Sequence, residues 1–352
     1  MKRLKRRLSV LLTAIAAIGL LAFSEQIKLG VTSGIKLCIT SVIPSLYLFT
    51  VLSVFAVKAK IFENSRFFGF VFKIIYNLSA NEGSVLFLSL ICGYPVGAAL
   101  IAEAQSGGSI SSKRARTLML SSVNAGPAFV ITMVGSELYG SRTFGIVLFV
   151  LASVISVLTA RLSGRFLLKN DCEIIKQHSA QQNEAEANYS KHFVSAVGSA
   201  NSTMLYICGW VIIAASLMQV MPQNGALGVL KCLTEVTAGV IYSSKFSPYL
   251  TAFLVGFGGF CVHLQVLKSI KQAGGKYTVF FIVKTLQGAL LAALTFLYLK
   301  IFPRTLETVA AQKLAASSGG TVFSAVSVIV FVLLTFVFCK CKKKEVENFS
   351  RM

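Results

Sequence analysis

The stretch Leu90-Ile-Cys-Gly-Tyr-Pro-Val-Gly-Ala-Ala-Leu100 decides the fold of this chain. It lies in the middle of residues 84–102, a segment apolar enough to enter a membrane. Glycine and proline weaken the interior of a helix, and proline also removes a backbone donor. Irregular backbone at membrane depth is tolerated only where protein or a water-filled cavity surrounds it. The stretch therefore predicts a break in the helix that has a structural or functional purpose.

The composition is that of a membrane protein. Of the 352 residues, 55% are hydrophobic and only 13% are charged, and the mean hydropathy is +0.73. Such values are typical of a polytopic chain in contact with the lipid bilayer. The 34 Lys and Arg residues give a net charge of +21. They cluster beside apolar runs, as the positive-inside rule describes, so we expect no nucleic-acid partner.

The sequence lacks the common motifs of enzymes and metal sites. The eight cysteines show neither disulfide nor metal-ligand spacing. ATP-binding, metalloprotease and nucleophile-elbow patterns are also missing from the sequence. We therefore predict a protein that is not an enzyme and has neither a metal nor a cofactor.

Eight apolar runs are long enough to be predicted as membrane spans. They are residues 8–23, 35–57, 117–134, 143–159, 203–220, 249–267, 279–301 and 322–338. Two further apolar segments, residues 84–102 and 225–242, are interrupted near their middle. If both are re-entrant hairpins, every large basic cluster and both termini lie in the cytoplasm. If both cross, residues 113–116 and the basic linker move outside, which the positive-inside rule opposes.

The hairpin topology also makes the second half of the chain an inverted copy of the first. The fold predicted is an all-α polytopic protein with eight transmembrane helices and two re-entrant hairpins in an inverted-topology repeat. Such repeats with broken helices are typical of secondary transporters that bind substrate between the halves. The predicted units are an N-terminal signal-anchor helix, a first repeat, a basic cytoplasmic linker, a second repeat, and a C-terminal helix with a basic tail. Their bounds are residues 1–30, 31–165, 166–195, 196–302 and 303–352.

Four broken places at matching positions supply the candidate substrate site. Each half has a hairpin tip, and each tip is followed by a span with helix breakers near its middle. Half-helix N-termini at the tips favour a ligand with anionic or acceptor groups, such as a carboxylate. The candidate substrate-binding residues are Gly93, Tyr94, Pro95, Gly97, Asn124, Gly126, Pro127, Thr234, Glu235, Thr237, Gly258, Gly259, His263 and Gln265.

The roles of individual polar residues remain alternatives at this point. Glu235 sits at the middle of an apolar segment, where a carboxylate is costly and is usually functional. It could carry a proton, coordinate a coupling Na⁺ or bind substrate, or else face water at a shallow tip. His263 could relay protons or be structural, and Asn124 could bind ligand or satisfy freed backbone groups. Lys284 could face an anion in the cavity, but its long stem also permits snorkelling to the nearby inner membrane surface, and we favour snorkelling.

These motifs resemble the sporulation integral membrane protein YlbJ family, within the wider group that carries the nucleoside-recognition Gate domain. The similar residues are Ile43-Pro-Ser-Leu-Tyr-Leu-Phe49, Gly93-Tyr-Pro-Val-Gly-Ala98, Asn124-Ala-Gly-Pro-Ala-Phe129, Glu235-Val-Thr-Ala-Gly239 and Gly258-Gly-Phe-Cys-Val-His-Leu-Gln265. The resemblance covers both halves, which would make them two Gate-type repeats on a plan similar to concentrative nucleoside transporters.

The resemblance also implies a function and a location. It implies a sporulation-stage transporter for a small anionic metabolite, dipicolinate above all, with H⁺ or Na⁺ as a possible coupling ion. The expected location is the mother-cell-derived outer forespore membrane, and a homo-oligomer is possible. The alternatives are a transporter of nucleosides or other small metabolites with the same fold, and a non-transporting membrane scaffold needed for spore maturation.

Overall fold

The computed structural model describes residues 2–61, 70, 78–167, 189–221 and 232–306, and the regular elements in these ranges are all helices. This confirms the predicted all-α class. In chain order the principal helices are α1 (Lys2–Ala22), α2 (Ser24–Leu37), α3 (Ile43–Lys58), α4 (Ala80–Cys92), α5 (Val96–Ser106), α6 (Ser112–Ser122), α7 (Arg142–Leu167), α8 (Tyr189–Val220), α9 (Val236–Ser243), α10 (Pro248–Phe257), α11 (Gly259–Gln272) and α12 (Tyr277–Ile301). Two π-helices join them, π1 (Cys38–Val42) and π2 (Ala128–Leu138).

Four helical segments are long and apolar enough to cross a membrane. They are Arg142–Gly164, Tyr189–Val220, Pro248–Gln272 and Tyr277–Ile301. A fifth span is formed if Arg7–Ala22 and Ser24–Thr40, which meet at an angle of 87°, are counted as one. The protein is therefore a helical membrane protein with several spans. Four of the eight predicted spans are found in this way, whereas the last one and most of the basic linker lie outside the described residues.

The predicted span 35–57 is part of a longer helical element. Helices α2, π1 and α3 follow one another without a gap and run antiparallel to α8. Gly30 packs against the backbone of Ser216, and Tyr47 Oη donates to Asn201 Oδ1 at 2.8 Å. Small residues let helices in a membrane approach closely, which explains the glycine of α2 at this contact. The sequence prediction began too late because residues 24–34 contain several polar side chains.

The interrupted segment 84–102 forms two helices that fold back on each other. Ser79 and Glu82 make a capping box that starts α4, and Glu82 also pairs with Arg114 near the start of α6 at 3.1 Å. At the other end of the segment, Glu103 on α5 pairs with Lys58 at the end of α3 at 3.1 Å. Lys60, Asn81 and Ser109 line one small cavity. Both ends of the segment therefore lie at the same end of the molecule.

This end, called the basic end, is where α3, α5, α8 and α11 meet. Lys58 Nζ donates to Ser195 Oγ near the start of α8 at 2.7 Å. Gln272 Nε2 at the end of α11 donates to Ser106 Oγ at 2.6 Å. The basic clusters near α3, α6 and α11 are thereby gathered at one end of the molecule, as the charge pattern predicts.

The helix that follows the second interruption ends at the opposite end of the molecule. Helix α9 ends at Ser243, whose hydroxyl lies 2.8 Å from Thr251 Oγ1 on α10. Thr251 Oγ1 is also 2.8 Å from Tyr139 Oη, just after π2. The chain therefore reaches this opposite end after π2 and again after α9. The first arm of the predicted hairpin, residues 225–231, lies outside the described residues.

Candidate functional site

The tip of the first hairpin lies against the break between α6 and π2. The Tyr94 N–H donates to the Asn124 carbonyl at 2.6 Å. Gly93 has φ +75°, and a Cβ added there would lie 2.5 Å from the Gly126 nitrogen. Only glycine meets both the backbone conformation and the close approach at this position. The tip of the first hairpin and the break after α6, two of the four predicted breaks, are therefore in direct contact with each other.

The tip of the second hairpin lies against the break between α10 and α11. Gly239 of α9 contacts the Cys232 carbonyl, so the chain folds back on both sides of Glu235. A Cβ on Gly259 would lie 3.1 Å from the Val236 nitrogen, and one on Gly258 would lie 3.7 Å from Tyr94 Cε1. The paired glycines thus contact both tips, and all four predicted breaks converge at one place.

Glu235 is buried at this place, with only 7% of its surface exposed. It is the N-cap of α9, because its Oε1 accepts from the Thr237 N–H at 3.0 Å and its Oε2 from the Ala238 N–H at 2.7 Å. The alternative that Glu235 faces water at a shallow tip is therefore wrong. The N-terminus of α9, expected to attract a substrate anion, already holds a carboxylate of the protein.

Tyr94 provides the polar group that faces Glu235 from the first tip. Its phenol is close enough for the two side chains to interact electrostatically. The Tyr94 hydroxyl is buried and has no hydrogen-bond partner among the described residues. A buried hydroxyl without a partner costs free energy, so Tyr94 is a candidate ligand-binding group.

Asn124 acts through its side chain as part of the scaffold. Its Nδ2 donates to the Ser121 carbonyl at 2.5 Å and to Ser156 Oγ on α7 at 3.0 Å. These bonds satisfy a carbonyl that the broken helix α6 leaves free. Of the two predicted alternatives, Asn124 therefore satisfies freed backbone groups, and its own carbonyl accepts the hydrogen bond from the Tyr94 N–H.

The remaining residues of the two tips surround these contacts. Pro95 precedes α5, and Pro127 precedes π2. Gly97 packs against the Ser122 carbonyl. Thr234 is half-buried beside Glu235, and Thr237 supplies a backbone donor to it. All of them therefore lie at or next to the converging breaks.

His263 lies in an aromatic cage and has the geometry of a structural residue. It is 1% exposed, and its ring centroid is 4.5 Å from that of Phe257 and 5.2 Å from that of Phe280. Its Nε2 donates to the Phe257 carbonyl at 3.1 Å, and its Nδ1 accepts from the Tyr277 hydroxyl at 3.4 Å. Since α10 ends at Phe257, His263 satisfies a carbonyl freed by the break.

Gln265 faces a different region from His263. Its Nε2 donates to Cys261 Sγ at 3.4 Å. Gln265 also lines a cavity of about 250 Å³ whose lining includes Pro95 of the first tip. Of the two polar residues predicted after the glycine pair, only Gln265 therefore reaches a cavity that borders the first tip.

Lys284 is a site residue that the sequence prediction missed. It is fully buried on α12, and its Nζ donates to the Val123 carbonyl at 2.6 Å and to Gln287 Oε1 at 2.9 Å. Gln287 Nε2 in turn donates to the Leu120 carbonyl at 3.2 Å. The predicted snorkelling is therefore wrong, because the carbonyls at the end of α6 bind the amine inside the protein. The signal in the sequence was a Lys and a Gln three residues apart within an apolar span.

The chain is similar to a known protein of spore formation. The chain is 24% identical over 319 residues to sporulation integral membrane protein YlbJ of Bacillus subtilis (strain 168), with 76% of each chain covered. This similarity confirms the resemblance to YlbJ that the motifs predict. No family model matches the chain. No solved structure matches it.

Proposed function

We propose that this protein is a secondary transporter that acts in sporulation and moves a small anionic metabolite, dipicolinate in the first place, across the membrane around the forespore. It has eight spans, two re-entrant hairpins and an inverted repeat, with both termini in the cytoplasm. It works without a cofactor, and a coupling ion, H⁺ or Na⁺, drives it. The role in sporulation rests on the similarity to YlbJ.

The observation that carries the transporter proposal is the convergence of four helix breaks at the two tips. The glycine pair contacts Tyr94 on one side and the backbone around Glu235 on the other. A rigid scaffold would not need four breaks at one depth, because each break removes hydrogen bonds that other groups must replace. Broken helices that meet between two halves are the usual construction of a transporter binding site.

The re-entrant topology is supported by the ion pair between Lys58 and Glu103. Lys58 ends α3, and Glu103 lies beyond the break that would have to cross the membrane in the alternative topology. The Nζ to Oε1 distance of 3.1 Å requires both residues to lie at one end of the molecule. A complete crossing would separate the two side chains by about 30 Å of hydrocarbon, so the short distance favours the re-entrant topology.

The two tips favour different ligands. Helix α5 starts after Pro95 without a side-chain cap, whereas α9 is capped by the Glu235 carboxylate. An anionic substrate is therefore attracted to the first tip, where the partial positive charge of the helix is not neutralised. Glu235 is better placed to bind the coupling cation or proton. Tyr94 belongs to the first tip and also interacts electrostatically with Glu235, so it is near both proposed binding positions.

The test is transport by the purified, full-length protein in proteoliposomes, with labelled dipicolinate and labelled uridine. We expect uptake of dipicolinate, and we expect Glu235→Gln to abolish it because the substitution removes the carboxyl group proposed to bind the coupling cation or proton. Glu137→Gln is the matched control, since Glu137 is exposed at the end of π2. Uptake of uridine alone would replace the substrate class with nucleosides. Uptake of neither compound, with normal spores from the Glu235→Gln strain, would favour a scaffold.

A further inference from the structure

Two polar stripes face each other across the cavity of about 250 Å³ that is lined by Pro95 and Gln265. On α8 the stripe consists of Ser199, Ser202, Thr203 and Tyr206, which line the cavity. Their spacing of i, i+3, i+4 and i+7 places them on one face of the helix. This face runs through a segment that is otherwise apolar enough to cross a membrane.

Helix α11 carries the matching stripe. Gln265, Lys268, Ser269 and Gln272 line the same cavity and have the same spacing. Helix α11 belongs to a second segment that is apolar enough to cross a membrane. Polar and charged side chains within such segments are costly unless they face one another or water. Two stripes in register across one cavity therefore indicate a space that holds water and polar solutes.

The charge of this cavity is positive. Its lining contains one acid, Glu103, and one base, Lys268. Glu103 is neutralised by Lys58 at 3.1 Å. Within the described part of the chain, Lys268 makes no ion pair, and its side chain is exposed at the basic end. The uncompensated charge of Lys268 therefore attracts anions into the cavity.

The cavity lining offers both hydrogen-bond acceptors and a charged donor. The hydroxyls of Ser202 and Thr203 donate to carbonyls of their own helix at 3.1 and 2.9 Å, so these two residues contribute mainly acceptor oxygens. Lys268 supplies the charged donor. At the inner end, Pro95 and Ala99 place the cavity directly beside the first tip. The path from Lys268 to Pro95 thus joins the basic end to the candidate substrate site.

We infer that this cavity, lined by the two polar stripes, is the cytoplasmic vestibule of the protein and binds a small organic carboxylate before it reaches the tips. Lys268 is the residue that binds the carboxylate group there. The volume of about 250 Å³ is somewhat below the usual range for drug-sized ligands, which suits a metabolite with one ring or a short chain. This inference deepens the proposed transport function. It rests on that function for the statement that the substrate moves from the vestibule to the tips.

The test is equilibrium binding of labelled dipicolinate to the purified full-length protein, which needs no transport. We expect Lys268→Gln to raise the dissociation constant about two- to fivefold and Lys268→Glu to raise it further, as loss of one partly screened charge contact predicts. The effect should shrink as salt rises from 0.05 to about 0.5 M, because the charge is then screened. Lys271→Gln and Lys271→Glu are the matched controls, since Lys271 lies on the same helix outside the cavity lining.

The outcomes separate this inference from the proposed function. Weaker binding in the Lys268 variants, with the Lys271 variants unchanged, supports the vestibule whether or not transport is observed. Equal effects at the two positions, or binding that neither position affects, overturn the vestibule even if dipicolinate is transported. An Ala99→Trp variant, which fills the inner end, should also weaken binding.

Discussion

Lys284 Nζ on α12 donates a 2.6 Å hydrogen bond to the Val123 carbonyl, which lies just beyond the end of α6. The two residues belong to different halves of the chain. The bond satisfies a carbonyl that has no partner within α6, because Val123 is already outside the helix. The break in the first half is thus stabilised by a buried amine from the second half.

The first prediction concerns the stability that this bond supplies. Lys284→Met keeps the length and volume of the side chain but leaves the Val123 carbonyl and Gln287 Oε1 without their donor. Loss of a buried partner of this kind costs about 1–3 kcal/mol. We expect a lower melting temperature for the purified variant in detergent, measured by size-exclusion chromatography after heating. Lys300→Met is the control on the same helix, because Lys300 is exposed. Equal melting temperatures for the two variants would contradict the role of Lys284.

The position of the helix breaks could be predicted from the sequence, and the partners of the freed backbone groups could not. Gly93, Pro95 and the glycine pair at 258–259 are strong local signals, since few other residues adopt the required backbone. The Asn124 carbonyl accepts from Tyr94, which lies 30 positions earlier in the chain. Such contacts depend on tertiary packing, on which local residue preferences carry no information.

The roles of Glu235 and Lys284 show the same limit. Glu235 was correctly singled out as an intramembrane acid, but glutamate is not among the residues preferred at an N-cap. Its two bonds to the start of α9 were therefore not foreseen. For Lys284, a long side chain permits both snorkelling and inward bonding. Only the position of the Val123 carbonyl decides between them, and that position follows from the fold.

The second prediction tests the close approach of the two breaks in the first half. In Gly93→Ala the new Cβ would meet the Gly126 nitrogen at 2.5 Å, so the tip must move away from residues 124–126. We expect dipicolinate uptake to fall to background while the protein remains in the membrane fraction. Gly108→Ala is the matched control, because Gly108 has nearly the same φ, +73°, and nothing within 4 Å of its added Cβ.

Gly93 differs from Gly108 both in its close packing and in its backbone. Its φ of +75° and ψ of −177° lie in a region essentially restricted to glycine, so alanine there adds backbone strain to the steric contact. The control variant therefore reports the cost of a positive φ without a close contact. A Gly108→Ala variant as inactive as Gly93→Ala would show that the tip contact has no special importance.

The third prediction concerns which side of the membrane each hairpin enters. Ser106→Cys at the end of α5 should react with a membrane-impermeant maleimide only from the cytoplasmic side. Lys245→Cys, just after α9, should react only from the outside, because α9 ends at the opposite end of the molecule. Both positions are exposed in the structure. Labelling is measured on intact cells and on inverted vesicles, with the native cysteines replaced by Ala or Ser. Reaction of position 106 from the outside would support the topology in which residues 84–102 cross completely.

The last prediction concerns the Tyr94 hydroxyl, which is buried without a partner. Tyr94→Phe removes only this hydroxyl, and it also removes the cost of leaving a buried polar group unpaired. We therefore expect the melting temperature to stay the same or to rise, while the Michaelis constant for dipicolinate increases or uptake is lost. Tyr139→Phe is the counterpart, because the Tyr139 hydroxyl lies 2.8 Å from Thr251 Oγ1. That variant should melt at a lower temperature and keep its substrate affinity. If Tyr94→Phe behaved like the wild type in both measurements, the hydroxyl would be a structural feature and the ligand would bind elsewhere.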